Sequence, residues 1–249
     1  MLKMKKILCV LGVMLIPIVM TGCGINMGVN TNSIAGRGAS VSSTVEMNMP
    51  ITEIRVDRVS AVLNISNEHS NLEYEMRENL VDYVNISLVN GILRIESTER
   101  TRSVGRNNEV IINVGTDVLE RLVLAGDARV VGDGTFVSNT LHIDVAGATN
   151  VDLDIEVDSV FAILAGAGSL NLSGIARNSS ISIAGAANVR ARNLITEDTT
   201  IDVAGAASVE IFASNTLDVS AAGASTVTYF GNPSVSRSLV GASRIRSGE

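Results

Sequence analysis

The chain has no tryptophan, and its 249 residues include only three tyrosines and four phenylalanines. Binding surfaces draw heavily on exposed rings, so the usual platform for stacking a sugar is missing, and Phe161, Phe212 and Phe230 read equally well as fillers of a core. Histidine is confined to His69 and His142, far apart in sequence. No Gly-x-Ser-x-Gly elbow accompanies them, and no Cys or His cluster has the spacing of a zinc site. Gly132 and Gly134 precede neither a helix start nor a lysine, which excludes a phosphate cradle. No regular threonine ladder of the ice-binding kind is present. From these absences we expect no enzyme activity, no metal and no cofactor.

Lysine stops at Lys6, and cysteine occurs only at Cys9 and Cys23. Lys3, Lys5 and Lys6 form a basic start, followed by an apolar stretch of 14 residues, Ile7–Met20, broken by Pro17. Such a stretch is too short to span a bilayer and fits a secretory signal. It ends in Met20-Thr21-Gly22-Cys23, the form of a bacterial lipobox, although Met20 stands where Leu, Val or Ile is usual. Residues 1–22 are thus expected to be a lipoprotein signal peptide, with Cys23 carrying the lipid (palmitate among its acyl chains). Cys9 lies in the discarded part, so no internal disulfide can form, and lipidation accounts for the one remaining thiol. Several acyl chains on one residue anchor a protein stably where a single chain does not. Beyond the leader, sixteen arginines face 26 Asp plus Glu, a net charge of −10. That acidity excludes nucleic acid as a partner and repels an anionic membrane surface, which leaves anchoring to the lipid. The expected location is the cell membrane or outer membrane, facing outside or the periplasm. Residues 23–49, rich in Gly, Ser, Asn and Thr, read as a flexible linker, and residues 50–249 as one domain.

What the chain has in abundance is a repeat. Small-Gly-small triplets, mostly Ala-Gly-Ala, recur with their glycines at Gly126, Gly147, Gly166, Gly185, Gly205, Gly223 and Gly241, in steps of 18 to 21 residues. A period of that size signals a stacked architecture. Two residues before each glycine stand Leu124, Val145, Leu164, Ile183, Val203, Ala221 and Leu239; four after it stand Val130, Val151, Leu170, Val189, Val209, Val227 and Ile245. Leu122, Ile143, Ala162, Ile181, Ile201 and Val219 occupy the position four before, where the last copy has Arg237. Polar residues alternate with these columns, giving a β period on both sides of the glycine. Together these features predict an all-β fold, a right-handed single-stranded parallel β-helix of about 18–21 residues per coil, with like residues stacked about 4.8 Å apart. Small inward residues at and beyond the glycine would let each coil bend. The flanking alanines read either as relief at that bend or as a flat docking strip. Arg237 and Ser247 would make the last rung polar, blunting an open edge. Nearer the N-terminus, Ile51, Ile54, Val56, Val84, Ile86, Leu88, Leu93, Ile95, Val110, Ile112 and Val114 predict the first coils, with Asn90-Gly91 as a turn and residues 96–108 as an exposed loop.

The lipobox, the run Val89-Asn90-Gly91-Ile92-Leu93-Arg94-Ile95, the opening Leu124-Ala125-Gly126, the serial triplets and the closing Tyr229-Phe230-Gly231-Asn232-Pro233 occur in one order. In this the chain resembles the putative auto-transporter adhesin, head GIN domain family, over about residues 50–246. The resemblance implies an exported, often lipid-anchored, right-handed β-helical protein of adhesin type. Family triplets more often carry serine first, whereas six of the seven copies here carry alanine, so a hydroxyl ladder at the bend is not expected.

The leading expectation is a non-enzymatic, lipid-anchored scaffold that binds polysaccharide or another envelope protein. One alternative is a carbohydrate-active enzyme using Asp144, Asp152 and Asp154, since two carboxylates about 5–9 Å apart suit glycoside hydrolysis. Asp202 and Asp218 form a similar pair, and several such carboxylates could hold calcium. A further alternative is homotypic assembly through the alanine strip.

Overall fold

The computed structural model describes residues 33–47, 49–68, 71–99, 103–105 and 110–248. Residues 1–22, expected to be a signal peptide, together with Cys23 and His69 lie outside the described residues. In chain order the strands are β1 (Ser33–Ile34), β2 (Ser40–Glu46), β3 (Glu53–Asp57), β4 (Ala61–Ser66), β5 (Asn71–Arg77), β6 (Val84–Val89), β7 (Ile92–Ser97), β8 (Ser103–Val104) and β9 (Val110–Gly115). The repeats follow as β10 (Arg121–Gly205), β11 (Ser208–Phe212), β12 (Thr216–Gly223), β13 (Thr226–Phe230), β14 (Ser234–Gly241) and β15 (Arg244–Ser247). The fold is all-β; the helical element among the described residues is a 3-10 turn, Glu78–Leu80.

β10 is extended backbone over 85 residues. Held straight it would reach roughly 280 Å at about 3.3 Å per residue, so it has to turn back on itself. Its corners include Gly126, Gly147, Gly166, Gly185 and Gly205, whose φ values lie between +130° and +143°. Side chains 19 residues apart bond laterally between successive passages: Ser169 Oγ donates to Asn150 Oδ1 at 2.7 Å, and Thr135 Oγ1 to Asp154 Oδ1 at 2.6 Å. Later strands add in parallel and in register. Gly205 pairs with Gly223 and Gly223 with Gly241, while Val209 lies between Val189 and Val227. At its start β10 pairs in parallel with β3 and β4, setting Leu122 beside Ile54 and Val130 beside Leu63.

The sheet as a whole is mixed, and a single-stranded parallel β-helix does not describe it. β2 pairs antiparallel with β5, β5 with β9, and β6 with β7. The last of these has a local cause. Asn90 and Gly91 both adopt positive φ, +51° and +76°, the geometry of a two-residue hairpin turn. The chain reverses there, Val89 opposite Ile92, where another parallel pass was expected. Structure also begins earlier than residue 50: Ser40–Glu46, inside the segment read as a linker, is the strand β2. Within the expected 96–108 loop, Glu96 and Ser97 finish β7, and Ser103–Val104 pair in parallel with β1.

Burial follows the columns. Leu122, Ile143, Ala162, Ile181, Ile201 and Val219 are all buried, as are Leu124, Val145, Leu164, Ile183, Val203 and Ala221. The same core continues into the N-terminal region through Ile54, Leu63, Ile95 and Ile112, and takes in Leu72, Tyr74, Met76 and Leu80. Burial fades on β14 and β15, where Arg237, paired with Val219, is exposed together with Ser247.

The glycine column has a steric cause that its φ alone does not supply. A Cβ built on Gly166 would lie 2.5 Å from the carbonyl oxygen of Gly147, and the neighbouring repeat glycines are equally confined by the one before them. Gly126 begins the column and has no such neighbour; its Cβ would meet Arg58 Cα at 3.7 Å. Glycine recurs because each copy must clear the backbone of the previous copy.

Candidate functional site

Parallel register turns outward positions into rows. On the strand leading to each glycine, Ala204 pairs with Ala222 and Ala222 with Val240, while Asp202, Ser220 and Ser238 form the row beside them. Alternation sends these side chains away from the core, and Ala184, Ala204 and Ala222 are exposed. They floor a shallow groove of about 320 Å³ that also takes in Ser182 and Asp202, with Ile163 and Val240 at its margins. A second groove, about 420 Å³, lies on another face, lined among others by Val137, Ile175, Ile195, Glu156, Asp158, Arg177 and Glu197.

The acids singled out in the sequence do not gather in either groove. The Asp144 carboxylate is ion-paired with Arg121, 23 residues earlier. Asp154 accepts hydrogen bonds from Thr135 Oγ1 at 2.6 Å and Ser173 Oγ at 2.7 Å, so it bridges three passages of chain. Asp152 and Asp218 are exposed, and Asp202 alone of the five lines a groove. These contacts make Asp144 and Asp154 lateral ties between passages of chain. Among the described residues no group of three or more His, Cys, Asp or Glu could hold a metal ion.

His142 stacks on Phe161, ring centroids 5.1 Å apart and planes 13° from parallel. Phe161 is therefore a surface ring and not a core filler, being 41% exposed. Phe230 lies under the Arg192 guanidinium, 4.1 Å from its ring centre. The Asp198 carboxyl is held below its ordinary pKa of 3.8, first by a hydrogen bond from Thr216 Oγ1 (2.5 Å) and next by one from Asn215 Nδ2 (2.8 Å).

The second groove escapes the sequence reading because the register drifts away from the glycine. Gly126 and Gly147 are 21 residues apart, whereas Thr135 meets Asp154 at a spacing of 19. Extra residues are absorbed around Gly134, itself at φ +95°. Farther along, Arg190 pairs with Glu210 but Asp198 pairs with Thr216, so the offset falls from 20 to 18 within eight residues. Columns counted from the glycine thus align the strands beside it and misalign the opposite face. Alternation around the buried Ala176 and Thr196 was the signal that marks Ile175 and Ile195 as outward.

Comparisons with known proteins place this geometry. Residues 50–233 match the model of a family described as putative auto-transporter adhesin, head GIN domain. Among solved structures, a putative adhesin from Bacteroides fragilis superposes with a TM-score of 0.76 at 18% identity, covering 86% of this chain and 99% of that one. A putative adhesin from Parabacteroides distasonis gives 0.64 at 19% identity, covering 87% and 100%. A protein from the same organism, described as a putative lipid binding protein, gives 0.58 at 17% identity over 87% and 100%. At such identities the likeness is one of fold. No curated protein matches the chain. Among the described residues no helix is long and apolar enough to cross a membrane.

Proposed function

We propose, for a chain that belongs to the head GIN family of putative auto-transporter adhesins, the role of a non-enzymatic binding scaffold held at the cell surface or envelope by lipid on Cys23. Residues 1–22 are the signal that directs export, the residues from Cys23 toward β1 form a tether, and the strands from β2 onward form the binding body. The repeat region is read as a right-handed parallel β-helix with the N-terminal antiparallel strands set against it. The partner is a polysaccharide or another protein of the envelope.

One observation carries the reading: the outward rows are in register across successive coils, giving long, shallow surfaces such as the one floored by Ala184, Ala204 and Ala222. Extended polymers suit a surface that repeats every 4.8 Å or so, while two of the three candidate acids, Asp144 and Asp154, are engaged in ties between passages of chain. Two measurements test this together. The wild-type chain, and not Cys23→Ser, should incorporate an alkyne-labelled palmitate and fractionate with membranes. A screen against envelope polysaccharides should give saturable binding that Ala184→Arg weakens. A membrane-free wild-type protein contradicts the anchor; binding indifferent to Ala184→Arg contradicts this face as the docking surface.

A further inference from the structure

The second groove differs from the first in chemistry. By the 19-residue offset that joins Thr135 to Asp154 and Asp154 to Ser173, the residues Val137, Glu156 and Ile175 are neighbours in one outward row. The same offset brings Asp158 beside Arg177, whose ion pair measures 3.4 Å. Val137, Ile175 and Ile195 are 52%, 57% and 49% exposed. Single exposed aliphatics are ordinary, but three large ones in one concavity of about 420 Å³ mark a contact surface. Arg177 is the sole basic residue lining the groove and is engaged with Asp158, whereas Glu156 and Glu197 make no ion pair among the described residues.

We infer that this groove docks an extended, basic segment of a partner protein in which apolar and cationic side chains alternate. The inference rests on the scaffold reading above and gives that scaffold a partner class on a face of its own. Apolar side chains of the segment cover the exposed aliphatics and remove them from water. Its cations meet Glu156 and Glu197, in the sense that favours encounter with an acidic protein. An acidic polysaccharide is repelled by the same carboxylates. A neutral glycan gains little from isoleucine, and no aromatic ring lines this groove for it to stack on.

The test uses the full chain and three labelled heptapeptides, alternating Lys with Val, Lys with Ser, and Glu with Val, followed by fluorescence anisotropy. The Lys/Val peptide should bind about tenfold or more tightly than either control, and more weakly as ionic strength rises from about 0.05 to 0.5 M. Ile175→Ser and Glu156→Lys should each weaken it at least severalfold, while Ala184→Arg, on the other face, should leave it unchanged. Circular dichroism and melting of each variant confirm that the fold is kept. Equal binding of the Glu/Val peptide, full binding by Ile175→Ser, or no binding of any peptide overturns the inference. None of those results bears on polysaccharide capture, which is read separately through Ala184→Arg.

Discussion

Residues 33–115 and 121–247 bury the same kind of apolar strand face by different means. In the first region, reversal is local: Asn90-Gly91 folds β6 onto β7, and the core takes large side chains such as Tyr74 and Met76. In the second, β10 to β15 pair with one another 18 to 20 residues apart, and small residues crowd the corners. A turn fixes register by its own geometry. A repeat strand inherits register from the passage before it, so each repeat glycine after Gly126 is constrained by the glycine 18 to 21 positions earlier. The lesson is that one residue type does two jobs here. At Gly91 glycine is needed for its φ; at Gly166 it is needed because a neighbouring backbone leaves no room.

Substitutions can press on that difference, beginning with the largest effect. Val219→Arg places in mid-stack the side chain that Arg237 carries in the adjoining exposed strand. A buried, unpaired guanidinium costs on the order of 3–5 kcal/mol, and urea unfolding should register a loss of that size or complete unfolding. Phe136→Ala empties a fully buried site close to where the register drifts, and should cost about 3–5 kcal/mol by the same assay. If it costs far less, the stretch around Gly132 and Gly134 repacks freely and does not hold register. Gly91→Ala should be milder. Its φ of +76° is disfavoured for alanine, but the nearest atom, Pro50 O, is 3.2 Å from the added Cβ, so a loss of about 1–2 kcal/mol is expected in thermal melts.

Asp198 offers the smallest effect. Its carboxyl is depressed below 3.8 by Thr216 and Asn215, so the ionised form favours the folded state. That contribution is present above the unfolded pKa and fades as pH falls through the lower folded value. Asp198→Asn should therefore lower stability slightly at pH 6, and the difference should shrink toward zero as pH falls through the depressed folded pKa. Parallel curves across that range would show that the two hydrogen bonds add nothing to stability.

Much of this was legible in the sequence, for a physical reason. Alternation of apolar and polar residues on either side of a fixed glycine reports burial directly, and Ile143, Ile181, Ile201 and Val219 are buried where that period puts them. The Asn-Gly turn was equally plain, though its consequence, an antiparallel pair, was not: a turn signal does not say whether the next strand returns beside its predecessor or passes on. β2 was missed because Ser40–Glu46 has just two strong apolar residues, Val41 and Val45, and pairs with β5 some 30 residues away. The aliphatic groove was hidden by changes of offset at Gly134 and between Arg190 and Asp198, which no count from the glycines can follow.

The central claim is that the repeated glycine answers to the backbone of the preceding repeat and not only to its own backbone angle. Gly126 and Gly166 separate these causes cleanly, since their φ values are +131° and +130° while only Gly166 faces another glycine's carbonyl. Equilibrium urea unfolding of Gly126→Ala and Gly166→Ala, side by side, is the direct test. The account predicts a loss of about 1–3 kcal/mol for Gly126→Ala, from φ strain alone. For Gly166→Ala it predicts at least about 4–5 kcal/mol, or no folded protein. Equal losses at the two positions would contradict it.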